Sequence, residues 1–538
     1  MTKKGLLYCE TQKTVRAALT RHSEPPLSRW AFRQTILAGR MILSALIFFL
    51  AINDLESQAQ SAPAVQFRPD NVESFLRAEM HKRRIPGLQI AVVRRGQIVL
   101  RGAYGLANLQ DAVPVTNQTV FTINSATKSF TGVAIMQLVE DGKLDLAAPV
   151  SRYLENLPAT WQNVTIRQLL SHTSGLPNIM DGNARMVADG GDDAAWAKVQ
   201  AMPLEFASGE RFSYNQTNYL LLGRMIDKLS GQPFTQFIAE RQFRVVGMPL
   251  TAQSGFSDSH DVIPHSARGY TYFRSDKISN VFEEFPLFLR TAAGISATAE
   301  EIARWIIALQ QGKLLKGKSS LTTLWTPVLL NHGATGGFSR LLNGYALGFP
   351  TATRNEHRAV AGIGGGRSAF FIYPDDDLAV VILTNLQGAS PESFIDEVAG
   401  YYIPAMKAAT GFGLPLTIKV LRAELMKRGF EHALDVVEEV KKKEGNFKLA
   451  EGEVNEWGYT LLGQGQMNQA IEIFKLNVSL YPDSANAYDS LGEAYEAFGD
   501  RALAIKNYKR SLELDPRNTN AVEHFKGLDS GVKPDRHH

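Results

Sequence analysis

Cysteine is almost absent from this chain: its 538 residues hold one, Cys9. No disulfide can close within the chain and no thiolate metal site can form. Long apolar runs are scarce. The stretch Met41-Ile-Leu-Ser-Ala-Leu-Ile-Phe-Phe-Leu-Ala-Ile52 has twelve uncharged residues, short of the roughly 20 that span a bilayer as a helix. Charge of one sign is missing too, with 57 basic against 54 acidic residues. The basic excess sits at the start: residues 1–40 carry eight Lys or Arg and two Glu, and Asp54 and Glu56 follow. The rest of the chain is near neutral, which removes the electrostatic case for nucleic acid. No Gly-rich loop leads from a strand into a helix as phosphate binding requires, and no His/Asp/Glu group has metal-ligand spacing. The sequence therefore implies no cofactor and no metal.

What the leader does contain is informative. Met41–Ile52 follows Arg40 directly and suits the apolar core of a secretory signal. Ala59-Gln-Ser61 or Ser57-Gln-Ala59 would serve as a small-residue cleavage site. The alternative is an uncleaved segment that tethers the protein to a membrane. Either way the expectation is an exported protein, periplasmic or anchored facing the periplasm.

The chemistry concentrates at Ser125-Ala-Thr-Lys128, within Phe121-Thr-Ile-Asn-Ser-Ala-Thr-Lys-Ser-Phe130. A serine three residues ahead of a lysine puts both side chains on one face of a first helical turn. The run from Ser129 to Leu138, apolar at Val133, Ile135, Met136 and Leu138, predicts the helix. Its N-terminus offers free N–H groups and positive partial charge where an oxyanion would form. This is the equipment of an acyl-serine hydrolase that uses no catalytic histidine. The motif recurs at Ser530-Gly-Val-Lys533, in a polar tail that no helix follows. Phe212-Ser-Tyr-Asn-Gln-Thr-Asn-Tyr219 adds Tyr214, whose ionised form a neighbouring lysine ammonium would favour, making it a candidate general base. Its amides, Gln216 and Asn218, are candidates for holding the lysine and a substrate carbonyl.

The strand pattern places these residues. Leu88–Arg94, a turn at Arg95-Gly96 and Gln97–Arg101 read as a hairpin. Ser368–Tyr373, a turn over Pro374–Asp377 and Leu378–Leu383 read as another. Strands at both ends with helices between predict an antiparallel sheet joined by the two ends of the region, plus a helical half: an α+β fold. Beyond it, Pro482 and Pro516 lie 34 apart, as do Ala470 and Ala504, Phe474 and Tyr508, Gly465 and Gly499. This period resembles tetratricopeptide repeats. Copies run over 451–484 and 485–518, a degenerate pair over 416–443, and a capping helix over 519–528. The expected plan is a leader over 1–61, a catalytic domain over 62–405, a linker over 406–415, an all-α repeat solenoid over 416–528 and a polar tail over 529–538.

Residues 67–405 resemble serine β-lactamase-related hydrolases of the class C type, a group that includes D-alanyl-D-alanine peptidases and esterases. The resemblance rests, in order, on Ile85-Pro-Gly87, Gly102-Ala-Tyr-Gly105, the Ser125 motif, Leu169-Leu-Ser-His-Thr-Ser-Gly-Leu-Pro177, Gly209–Tyr214, Asn218-Tyr219, Val246-Gly-Met-Pro249, Ala292-Ala-Gly294 and Val380–Asn385. It implies Ser125 as acylated nucleophile, Lys128 as its proton partner and Tyr214 as general base of a Tyr-x-Asn motif. It assigns Ser171-His172-Thr173-Ser174 to a structural turn. Two departures stand out. Gln216 replaces the motif's Asn. The third motif, Lys-Thr-Gly or His-x-Gly, is matched by Val360-Ala-Gly-Ile-Gly-Gly-Gly-Arg367, which lacks the cation whether Gly362 or Ile363 takes the first place. The backbone of Gly364, Gly365 and Gly366 remains for the oxyanion, and Arg367 is either a replacement for the charge or a plain surface arginine. The sequence thus predicts an exported serine hydrolase acting on an ester or amide, with a small-molecule or peptide acyl substrate. The alternative is a catalytically weak module that binds a protein partner through its repeats.

Overall fold

The computed structural model describes residues 69–182, 185–274, 277–407 and 410–530. Cys9, the run Met41–Ile52, both cleavage candidates and Lys533 of the second Ser-x-x-Lys match lie outside them. Among the described residues no helix is long and apolar enough to cross a membrane.

Helix α1 (Pro69–Lys82) leads into strands β1 (Gly87–Arg94) and β2 (Gln97–Asn108). Arg95 (φ 49°) and Gly96 (φ 70°) both take the left-handed region, as a two-residue hairpin with right-handed strand twist requires. The chain returns to this sheet much later, through β4 (Gly344–Tyr345), β5 (Pro350–Ala352), β6 (Ala359–Gly364), β7 (Ser368–Tyr373) and β8 (Leu378–Thr384). With the short β3 (Val113–Pro114), these form an eight-stranded sheet in the order β3-β2-β1-β8-β7-β6-β5-β4. The first long strand pairs with the last, antiparallel, from Leu88 opposite Thr384 to Arg94 opposite Leu378. The two ends of the domain therefore close on each other.

β1, β7 and β8 are buried on both faces. Alternation divides their side chains: Ala91, Val93, Phe370, Ile372, Val381 and Leu383 join the main core, in which Trp305 is buried. That core extends into the helical half, where α2 (Thr127–Glu140) is buried from Thr127 to Leu138. α2 packs so closely that a Cβ on Gly132 would lie 2.3 Å from the carbonyl oxygen of Leu347. Helices α3 (Gln216–Ser230) and α4 (Ala299–Gln310) complete the frame around it.

Past residue 410 the chain is helical: α5 (Leu416–Arg428), α6 (Ala433–Lys443), α7 (Glu451–Gly463), α8 (Met467–Leu480), α9 (Ala485–Phe498), α10 (Arg501–Leu514) and α11 (Thr519–Ser530). Large and small alternate across the packed pairs, as the 34-residue period requires. A Cβ on Gly458 would meet the Phe474 ring at 2.6 Å, and one on Gly492 the Tyr508 ring at 2.8 Å. The architecture is α+β with an all-α repeat array behind it. The stretch joining them is not a bare spacer. Phe412 sits against the Arg354 guanidinium (4.5 Å) and near the His357 ring (5.7 Å). Lys419 of α5 pairs with Glu356 at 3.2 Å, and Arg340 pairs with Glu456 of α7.

Candidate active site

Ser125 lies in a single 3-10 turn, Asn124–Ala126, that runs straight into α2. The preceding residue, Asn124, has φ 47°, a left-handed conformation uncommon outside glycine. Lys128, one turn on, extends back beneath the serine. Its Nζ lies 3.5 Å from Ser125 Oγ and donates to Gln216 Oε1 at 3.0 Å and to the Ala292 carbonyl at 3.0 Å. Only 1% of the lysine is exposed, and burial pushes its ammonium well below the ordinary lysine range. Both of these acceptors are uncharged, so neither repays the desolvation of a charged form.

Gln216 reaches the lysine because of where its helix begins. Asn215 caps α3, its side chain accepting from the Asn218 N–H at 3.2 Å. Gln216 is then the first helical residue, beside the nucleophile turn, and its extra methylene does not keep it from the ammonium. Tyr214 immediately precedes the cap. Its phenol lies beside the Ser125 and Gln216 side chains, and its ring centroid is 4.6 Å from Lys128 Nζ. The sequence predicts a phenol whose ionised form is favoured by an ammonium. In the structure burial pushes the Tyr214 phenol up and the Lys128 ammonium down, so it disfavours the charged form of each.

The other sequence candidates divide. Asn218 is fully buried and faces inward: it accepts from Ser174 Oγ at 2.7 Å and lies 3.4 Å from His172 Nδ1. It braces the motif and does not reach the nucleophile. Gly364, at the end of β6, touches the nucleophile turn. A Cβ there would fall 2.0 Å from the Ile123 carbonyl oxygen and 2.8 Å from the Ser125 nitrogen. Gly365 (φ 58°) and Gly366 (φ 61°) are the first two residues of the three-residue turn to β7. The former lies against the Asn124 side chain and the latter beside Gly388. The β6 strand supplies no cation. Arg367 is buried, and it pairs with Glu283.

Two contributors were not legible in the sequence. One is the Ala292 carbonyl, held by a loop fastened to both helices: Thr131 Oγ1 donates to the Thr291 carbonyl and Thr291 Oγ1 to the Tyr219 carbonyl. The other is His172. It is fully buried at φ 58°, its ring 4.4 Å from that of Tyr214, and its Nδ1 accepts the Asn215 N–H at 3.1 Å. Burial pushes its imidazolium well below the ordinary histidine range. It fixes the backbone from which Tyr214 and Gln216 project. The motif around Leu169–Pro177 was the available signal; its partner 43 residues on was not.

Solved structures share this scaffold. The octameric penicillin-binding protein homologue from Pyrococcus abyssi superposes with TM-score 0.54 at 24% identity, over 66% of this chain and 81% of its own. The D-amino acid amidase from Ochrobactrum anthropi SV3 gives 0.53 at 22%, over 64% and 99%. In sequence, Protein flp of Staphylococcus aureus (strain MW2) is 29% identical over 248 residues, 44% of this chain and 47% of its own length. The chain thus spans about half the length of that relative. The putative penicillin-binding protein PbpX of Bacillus subtilis (strain 168) is 28% identical over 270 residues, 47% of this chain and 66% of its own. Residues 485–518 match the tetratricopeptide repeat. Residues 72–400 match the Beta-lactamase family, whose sequence pattern and fold the chain carries through that whole region, and the chain belongs to that family.

Proposed function

We propose that this protein is a serine hydrolase that acylates Ser125 with an ester or amide substrate and then releases the acyl group to water. The observation that carries the reading is Lys128: a buried amine within reach of a serine hydroxyl, with uncharged acceptors only. Its neutral nitrogen takes the Ser125 proton as Oγ attacks the carbonyl carbon. The oxyanion forms towards the Ser125 N–H and the glycine backbone at the end of β6. Tyr214, whose phenol lies beside Ser125 and whose ionised form burial disfavours, donates to the departing oxygen or nitrogen and is reprotonated from Lys128. Water attacking the acyl carbon reverses the proton path and frees Ser125.

The test is covalent capture. A fluorophosphonate should add one adduct mass to the chain at Ser125, and a short activated ester should turn over. Ser125→Ala should lose both. Full turnover in Ser125→Ala, or an unlabelled Ser125 in an active preparation, sinks the mechanism. The absence of a cation on β6 favours a second reading, a weak catalyst whose repeats bind a protein partner; capture without turnover would support it. Export belongs to the proposal through Met41–Ile52, either as signal core or as membrane tether. A periplasmic reporter fused after residue 66 should be active, and activity confined to the cytoplasm would refute export.

A further inference from the structure

The chain has a cation near the nucleophile, but it comes from the wrong side of a turn. The β6–β7 connection is closed by the Arg367 N–H donating to the Gly364 carbonyl at 3.0 Å. Arg367 leaves this turn and runs inward, its side chain 5% exposed. It passes Gly269 so closely that a Cβ there would lie 2.6 Å from Nη1. It ends at Glu283, with which it forms an ion pair, while Nε finds no hydrogen-bond partner among the described residues. The same Glu283 oxygen accepts from Asn124 Nδ2 at 3.0 Å, and Asn124 immediately precedes Ser125. Glu283 is itself held in place, its N–H donating to Ser259 Oγ at 2.7 Å. Glu283 and Arg367 together line a cavity of about 280 Å³, with Thr122, Arg268, Phe282 and Phe285 among its other walls.

From this we infer that Glu283 is a specificity-determining residue: its carboxylate occupies the anion position on Arg367 that a substrate carboxylate would otherwise take. The inference rests on the hydrolase reading and names its substrate class, acyl groups that are uncharged at the end nearest this cavity. Two charges so little exposed are stable as a pair and costly apart. A substrate carboxylate entering the cavity meets Glu283 as well as Arg367, so attraction and repulsion offset each other. A neutral acyl chain meets neither obstacle and has Phe282 and Phe285 beside it.

The experiment uses the full chain and two 4-nitrophenyl esters of equal acyl length, the hexanoate and the half-ester of adipic acid. Wild type should prefer the hexanoate. Glu283→Gln keeps an acceptor for Asn124 and removes the competing charge. It should raise the half-ester to hexanoate ratio of kcat/KM by about tenfold, the scale of one charge-assisted hydrogen bond, and mainly through KM. Adding Arg367→Gln should return the ratio to the wild-type value, and this double variant also controls for misfolding caused by an unpaired buried guanidinium. A ratio unchanged in Glu283→Gln, or a gain that survives loss of Arg367, overturns the inference. A readout that needs no turnover separates it from the hydrolase reading. Adipate should raise the melting temperature of Glu283→Gln and leave wild type unmoved, and equal shifts count against the inference. If neither ester is hydrolysed by wild type while the adipate shift is as expected, the hydrolase reading fails and the assignment of Glu283 stands.

Discussion

In the proposed mechanism Lys128 decides the direction in which protons move. Burial disfavours its charged form and the ionised form of Tyr214 beside it, so the lysine is assigned as base and the tyrosine as acid. Activity should therefore rise with pH as the amine deprotonates, along a limb lying below the ordinary lysine value of about 10.4. Lys128→Arg keeps a cation that never becomes neutral. It should lower kcat/KM by roughly 10³ or more and show no limb in the pH–rate profile; an active arginine variant would transfer the base role elsewhere. His172 makes a second pH statement, about stability. Its folded value is depressed, so between that value and about 6.5 the unfolded chain binds more protons. Stability is then lost as pH falls below about 6.5. His172→Gln retains an acceptor for the Asn215 N–H and cannot titrate. Its melting temperature should fall less steeply from pH 7 to pH 5 than that of wild type, and parallel slopes would show that other groups dominate.

At the scale of elements, legibility followed sequence distance. The hairpins were readable because alternation and turn residues are local: Arg95-Gly96 and Pro374–Asp377 announce their own geometry. The nucleophile helix was readable because Ser125 and Lys128 are three residues apart and the apolar run follows at once. Tyr214 and Gln216 needed the family resemblance to be placed. Glu283 could not be found, since nothing local marks a glutamate between Phe282 and Glu284 as the partner of residues 159 positions earlier and 84 later. The effect of burial on Tyr214 and Lys128 was hidden for a different reason. Proximity was predictable, whereas burial, which outweighs it, depends on the packed helices. The end of β6 gives an element-level test. Gly364→Ala places a methyl group against the Ile123 carbonyl and the Ser125 nitrogen, and the strand must shift by a few tenths of an ångström or more. Fluorophosphonate labelling of Ser125 should slow by about 10- to 100-fold, in the range lost with one oxyanion donor or less. Unchanged labelling would mean that β6 takes no part in the oxyanion site.

At the scale of the molecule, the repeats are joined to the catalytic domain by contacts of unequal kind. Phe412 rests on a guanidinium already fixed by Asp396 through two hydrogen bonds of 2.7 and 3.0 Å. Phe412→Ala should lower the melting temperature of the full chain by about 2–4 °C, and a truncation after residue 415, which keeps Phe412, should still hydrolyse ester. An inactive 1–415 fragment would make the repeats a structural requirement. The pairs Arg340–Glu456 and Lys419–Glu356, by contrast, are largely exposed, and Arg340 stands two residues from Phe338, whose ring lies 5.0 Å from that of Tyr214. Among the described residues the Lys128 amine has no ion pair to screen, while the junction has two. Added salt should therefore act as a selective solvent for the joint. Within a Debye length of about 3 Å at 1 M, the exposed pairs lose their attraction and the acylation machinery keeps its proton balance, so brine, in place of a mutation, can uncouple the array from the enzyme.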